Sequence, residues 1–102
     1  MTERRHEPRV RCYLPAVTHR GDAILEEMSP TGFRLAVAFE AAGGESVMVR
    51  IPRRVGGPVI LKARVCRISP LTLGYRLACQ IATGDLGAAA DIFRDICGMS
   101  RR

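Results

Sequence analysis

The chain has 102 residues, 47% of them apolar and 25% charged, with 16 basic against 10 acidic residues and a net charge of +6. That length supports one core and one domain, and the apolar share excludes a disordered chain. No apolar run approaches the roughly 20 residues that span a bilayer, and the leader lacks a signal-peptide core, so a cytoplasmic protein without membrane insertion is expected.

Residues 1–9 read as a flexible, arginine-rich arm, 10–98 as a single folded domain and 99–102 as a frayed tail. The first strand begins at Val10, where Val10, Cys12, Leu14 and Ala16 alternate with Arg11, Tyr13 and Pro15 in the period of a half-buried strand. Arg20-Gly21-Asp22 supplies a turn, Ala23 to Met28 a second strand, and Ser29-Pro30-Thr31-Gly32 a second turn. A third strand follows, with Phe33, Leu35, Val37 and Phe39 inward. Ala42-Gly43-Gly44 breaks it, and Val47, Val49 and Ile51 mark a fourth.

Arg53 to Pro58 reads as a solvated basic loop, Val59 to Ile68 as a fifth strand, Ser69 to Gly74 as a turn, and Tyr75, Leu77, Cys79 and Ile81 as the inward side of a sixth. Six short strands spaced by turns are the pattern of an antiparallel barrel or sandwich. After Gly84 the period becomes helical: Asp85 is placed as N-cap, Leu86, Ala89, Ala90, Phe93, Ile96 and Cys97 share a face, and Gly98 is placed at the C-terminus.

The chemistry-bearing residues argue against catalysis. Cys12, Cys66, Cys79 and Cys97 contain no C-x-x-C pair, His6 and His19 are the only histidines, and neither set has zinc-ligand spacing. The cysteines therefore read as reduced core thiols, and no metal or cofactor is expected. Ser-His-Asp sets, paired buried carboxylates and phosphate-cradling G-x-x-x-x-G-K are not visible either, so no enzyme is expected.

Two motifs stand out. Arg4-Arg5-His6-Glu7-Pro8-Arg9 has the form R-R-x-x-x-R, and Glu27-Met28-Ser29-Pro30-Thr31-Gly32 nearly has the form D/N-x-S-x-x-G, at the far end of the first hairpin. In this order on an all-β chain they resemble the PilZ domain family. The resemblance implies a six-stranded antiparallel β-barrel with a C-terminal α-helix, and cyclic di-GMP, a bacterial second messenger, as ligand.

The implied site is Arg4, Arg5, Arg9, Glu27, Ser29 and Gly32. Arginine forks match phosphate oxygens and guanine O6 and N7, while a carboxylate accepts from guanine N1–H and N2–H, the part given to Glu27. Ser29 offers a hydroxyl for a phosphate or base contact and Gly32 a positive φ and a close ligand approach, while His6 and His19 read as surface residues, His6 being the one that could touch the ligand. Glu27 is one methylene longer than the family's Asp or Asn. The function implied is a single-domain receptor and adaptor whose arm orders on ligand binding and which signals to a downstream protein, with motility and exopolysaccharide control as the family's common outputs.

Two alternatives stand beside it. One is a PilZ-like adaptor that has lost the ligand and acts by protein contact, which the lengthened Glu27 keeps open. The other is a nucleic-acid-binding barrel, suggested by the positive charge but opposed by the absence of tryptophan and by only three phenylalanines and two tyrosines for base stacking.

Overall fold

The computed structural model describes residues 7–100. Six antiparallel strands close into a barrel in the order β1-β2-β3-β6-β5-β4, where β1 is Val10–Thr18, β2 Gly21–Met28, β3 Gly32–Val37, β4 Ser46–Ile51, β5 Val59–Leu71 and β6 Gly74–Ile81. A single 3-10 turn, Thr83–Asp85, leads into the helix α1, Leu86–Ser100. The expected fold class is the one observed.

Alternation builds the core. Leu25, Leu35, Val49, Leu61, Val65 and Leu77, one or two from each strand after the first, are all but fully buried inside the barrel. Closure is uneven, because β1 pairs with β4 only through Val17 and Thr18 while its pairing with β2 runs from Val10 to Thr18. α1 packs against β1 and β5, with Ala89, Ile92 and Ile96 buried. Two side chains fasten it: Asp85 accepts from the Lys62 backbone N–H at 2.7 Å, and Asp95 accepts from that of Arg54 at 3.2 Å.

Several boundaries differ from the sequence expectation. The Asp85 carboxylate, placed by the sequence at the helix N-cap, reaches across to β5, where it accepts from the Lys62 N–H. The helix runs through Gly98 to Ser100, since one glycine costs only about 1 kcal/mol of helix propensity. Leu86 is part-exposed and Ile92 takes the buried position instead. β5 continues through Ser69-Pro70 to Leu71; beyond Val65 it is bonded only to β6, and a strand edge without a second partner tolerates proline. β3 ends at Val37, short of Phe39.

Three β-bulges interrupt the ladders: one between Arg11 and Leu14 of β1, one between Leu25 and Glu27 of β2, and one between Val65 and Arg67 of β5. A bulge adds one residue to one strand and reverses the parity of the residues after it. In β2 the inward series Ala23, Leu25 resumes at Met28, leaving Glu26 and Glu27 both outside. In β5 the series Leu61, Ala63, Val65 is followed by Cys66 and Arg67, both exposed.

Candidate ligand-binding site

A cleft of about 410 Å³ lies on the outer wall of the barrel over the ends of β2, β3, β5 and β6. Its lining includes four of the six residues singled out in the sequence, Arg9, Glu27, Ser29 and Gly32. Arg4 and Arg5, and with them His6, lie outside the described residues. The leader meets the serine-glycine turn directly, because the Thr31 hydroxyl donates to the Glu7 carboxylate, whose oxygens lie 2.8 and 2.6 Å away.

The turn holds itself together. The Ser29 hydroxyl donates to the Gly32 carbonyl at 3.1 Å and accepts from the Gly32 N–H at 3.0 Å, and the Ser29 N–H donates to the same carbonyl at 2.9 Å. With Ser29 only 7% exposed, the single hydroxyl proton is already spent inside the turn. In the structure that hydroxyl shapes the loop.

Gly32 departs from expectation. The glycines with positive φ are Gly21, Gly44, Gly56 and Gly74, so Gly32 is not required for a left-handed backbone. Its reason is steric: a Cβ there would stand 2.7 Å from the carbonyl oxygen of Cys79 on β6. Glycine thus lets the β2–β3 turn come down onto β6, where the Ile81 N–H bonds the Thr31 carbonyl at 2.9 Å.

Glu27 faces outward because of the bulge at Glu26, directly across from Arg34 of β3, whose guanidinium lies 3.3 Å from its carboxylate. The extra residue, Glu26, pairs with Arg76 at 2.7 Å. On the opposite wall the bulge of β5 presents Cys66 and Arg67. Sequence reasoning missed Arg34, Arg67 and Gln80 in this lining. It also misjudged Cys66, which is exposed in the cleft rather than a core thiol. Cys79, just beneath, is buried, and burial pushes its thiol up to about 12.

Arg9, Arg34 and Arg67 line the cleft, with Glu27 as an acceptor at one side and Ala78 on its floor. Such a set suits a ligand carrying both phosphate oxygens and purine edges. Among the described residues, no group of three or more His, Cys, Asp or Glu side chains could hold a metal ion.

The family model of the PilZ domain matches residues 3–96. The chain belongs to the PilZ domain family. Among solved structures, this PilZ domain is similar to the Bacillus subtilis inhibitor of motility MotI/DgrA, with a TM-score of 0.69 and 19% identity over 99% of this chain and 54% of that one. It is also similar to MrkH of K. pneumonia, solved as a complex with c-di-GMP, with a TM-score of 0.70 and 16% identity over 99% of this chain and 56% of that one. The PilZ domain therefore spans a little over half the length of each, and at such identities the likeness shows the fold. No curated protein sequence matches it.

Proposed function

We propose that this PilZ domain is a receptor for cyclic di-GMP that binds the second messenger in the cleft and passes the signal to another protein. The observation that carries the reading is the bond between Glu7 and Thr31. With Arg9 in the cleft lining, it puts the last residues of the leader beside Glu27 and the Ser29–Gly32 turn, which supports the reading. The family match supports it, as does the likeness to a neighbour solved with c-di-GMP.

In this reading Arg4, Arg5 and Arg9 take phosphate oxygens and a guanine O6/N7 edge, and the Glu27 carboxylate accepts from a guanine N1–H and N2–H. Ser29 and Gly32 act by holding the turn in shape against β6. Arg5 and Arg4 precede Glu7 by two and three residues in the sequence, and the reading gives them to the same ligand. The ligand draws the arm onto the barrel, and the ordered arm is the new surface that a downstream protein reads.

The protein works by binding rather than catalysis, in the cytoplasm, with no cofactor. Among the described residues no helix is long and apolar enough to cross a membrane. Motility is the proposed output that the likeness to an inhibitor of motility supports, with exopolysaccharide control as a further one.

Isothermal titration calorimetry with cyclic di-GMP tests this, using GTP and an Arg5→Ala variant as controls. Saturable binding at micromolar concentration or tighter by the wild type, weakened at least tenfold in the variant, is the expected result, given the roughly 1.5 to 3 kcal/mol carried by a charged hydrogen bond. Silence from a folded sample overturns it in favour of an adaptor that works without the ligand.

A further inference from the structure

The two bulges on opposite sides of the cleft bring one continuous row of residues across its lining. Strand register puts Glu27 opposite Arg34, Arg34 opposite Ala78, and Ala78 opposite Arg67, across β2, β3, β6 and β5. Both ends of the row point outward only because a bulge precedes them; in an unbroken alternation Glu27 would follow Leu25, and Arg67 would follow Val65, into the core. Neighbouring strands lie about 4.8 Å apart, so the two ends stand roughly 14 Å apart at their backbones, with only a methyl group at Ala78 between Arg34 and Arg67. Glu27 is held by Arg34, whereas Arg67 makes no ion pair among the described residues although it lines the cleft.

From this we propose that Arg67 is a base-reading residue of the cleft, turned outward by the bulge at Cys66, and that it sets the preference for guanine over adenine. The proposal rests on the reading of the cleft as a cyclic dinucleotide site and names a residue outside both sequence motifs. A guanidinium offers two parallel donors, which match the O6 and N7 acceptors of guanine; adenine presents N7 together with the N6 amino donor, and so opposes one donor with another. Glu27 supplies acceptors for the Watson–Crick edge of one base, and Arg67 supplies donors for the opposite edge of the other. A ligand with two guanines satisfies both ends of the row, and one with two adenines satisfies neither.

The experiment is calorimetry of the whole protein with cyclic di-GMP and with cyclic di-AMP, for the wild type, Arg67→Ala and Arg67→Lys, with thermal melts of all three. Because Arg67 is exposed, the variants are expected to melt close to the wild type. Arg67→Ala is expected to lose about tenfold or more of its cyclic di-GMP affinity. Arg67→Lys, which keeps the charge but not the fork, is expected to recover only part of that loss, while the weak binding of cyclic di-AMP stays unchanged. If the wild type binds cyclic di-GMP and Arg67→Ala binds it equally well, the proposal is overturned and the receptor reading stands. An equal loss for both dinucleotides, fully restored by lysine, would also overturn it, by making Arg67 a bulk charge. A folded wild type that binds neither compound overturns the receptor reading and this proposal with it.

Discussion

Glu27 and Arg34 stand opposite each other on β2 and β3 with 3.3 Å between guanidinium and carboxylate, so the carboxylate of the serine-glycine motif already has a partner. The arginine side chain is 45% exposed and the glutamate 20%, which puts the pair at the weak end of ion-pair energies, at most about 1 kcal/mol. Its value is positional: the pair holds the Glu27 carboxylate beside Arg34 in the cleft lining. Glu27→Gln keeps the shape, loses the charge and offers one acceptor where two were needed. Cyclic di-GMP affinity is expected to fall roughly tenfold with melting temperature changed by no more than about 5 °C, read by calorimetry and a thermal scan.

Gly32→Ala separates the steric role of the motif glycine from its presumed freedom. The added methyl would need the Cys79 carbonyl to retreat from 2.7 Å, and that carbonyl belongs to a ladder strand rather than a flexible side chain. Overpacking of this kind costs about 1–3 kcal/mol, and for a domain of this size each 1 kcal/mol lowers Tm by about 4–8 °C. Differential scanning calorimetry should therefore show a drop of several degrees or more without ligand. An unchanged melting curve would mean that the turn is not pinned on β6.

Six strands, the helix and four cleft residues were legible because each rests on a local signal: alternation, a change of period, or a short motif. What stayed hidden depends on pairing across the barrel. Glu27 and Arg67 follow inward residues in phase, and only the registers with β3 and β6 reveal the bulges that reverse them. The same blindness explains Asp85, whose carboxylate goes to a strand more than twenty residues away, and Cys66, which looked like part of an apolar strand. Consecutive polar or thiol-bearing residues in an otherwise alternating strand, Glu26-Glu27 and Cys66-Arg67, were the trace that sequence did offer.

The bond from Thr31 to Glu7 gives a test of arm docking that leaves every arginine in place. Thr31→Val keeps the shape at an exposed turn position and removes the donor. Stability should hardly move, since exposed hydrogen bonds contribute little net free energy. Cyclic di-GMP affinity should fall severalfold, because the leader must then be ordered by the ligand alone. Equal affinity for variant and wild type would show that the leader's attachment has no part in binding.

Cys66 supplies a direct probe of occupancy. It is the exposed one of the four cysteines and lines the cleft, whereas Cys79 is buried and Cys12 and Cys97 are partly covered. With substoichiometric iodoacetamide near neutral pH, peptide mass mapping should find Cys66 modified first. Saturating cyclic di-GMP should slow that modification. Labelling at an undiminished rate in the presence of bound ligand would place the ligand away from the β5 wall.

Buried Cys79 and partly covered Cys12 make the fold sensitive to alkali. Burial raises Cys79 from its ordinary 9.0 to about 12 and Cys12 to about 11, so between these values the unfolded chain has released protons that the folded one still holds. The unfolded state then binds fewer protons, and stability falls as pH rises. The contribution is fully present below about pH 9 and is lost through the window from 9 to 12, with a slope for the more deeply buried Cys79 of at most about 1.4 kcal/mol per pH unit. Urea unfolding at a series of pH values from 8 to about 10.5 should show that decline, and Cys79→Ala, although less stable at pH 8, should show a shallower one. A slope unchanged by the substitution would assign the alkaline sensitivity to other groups.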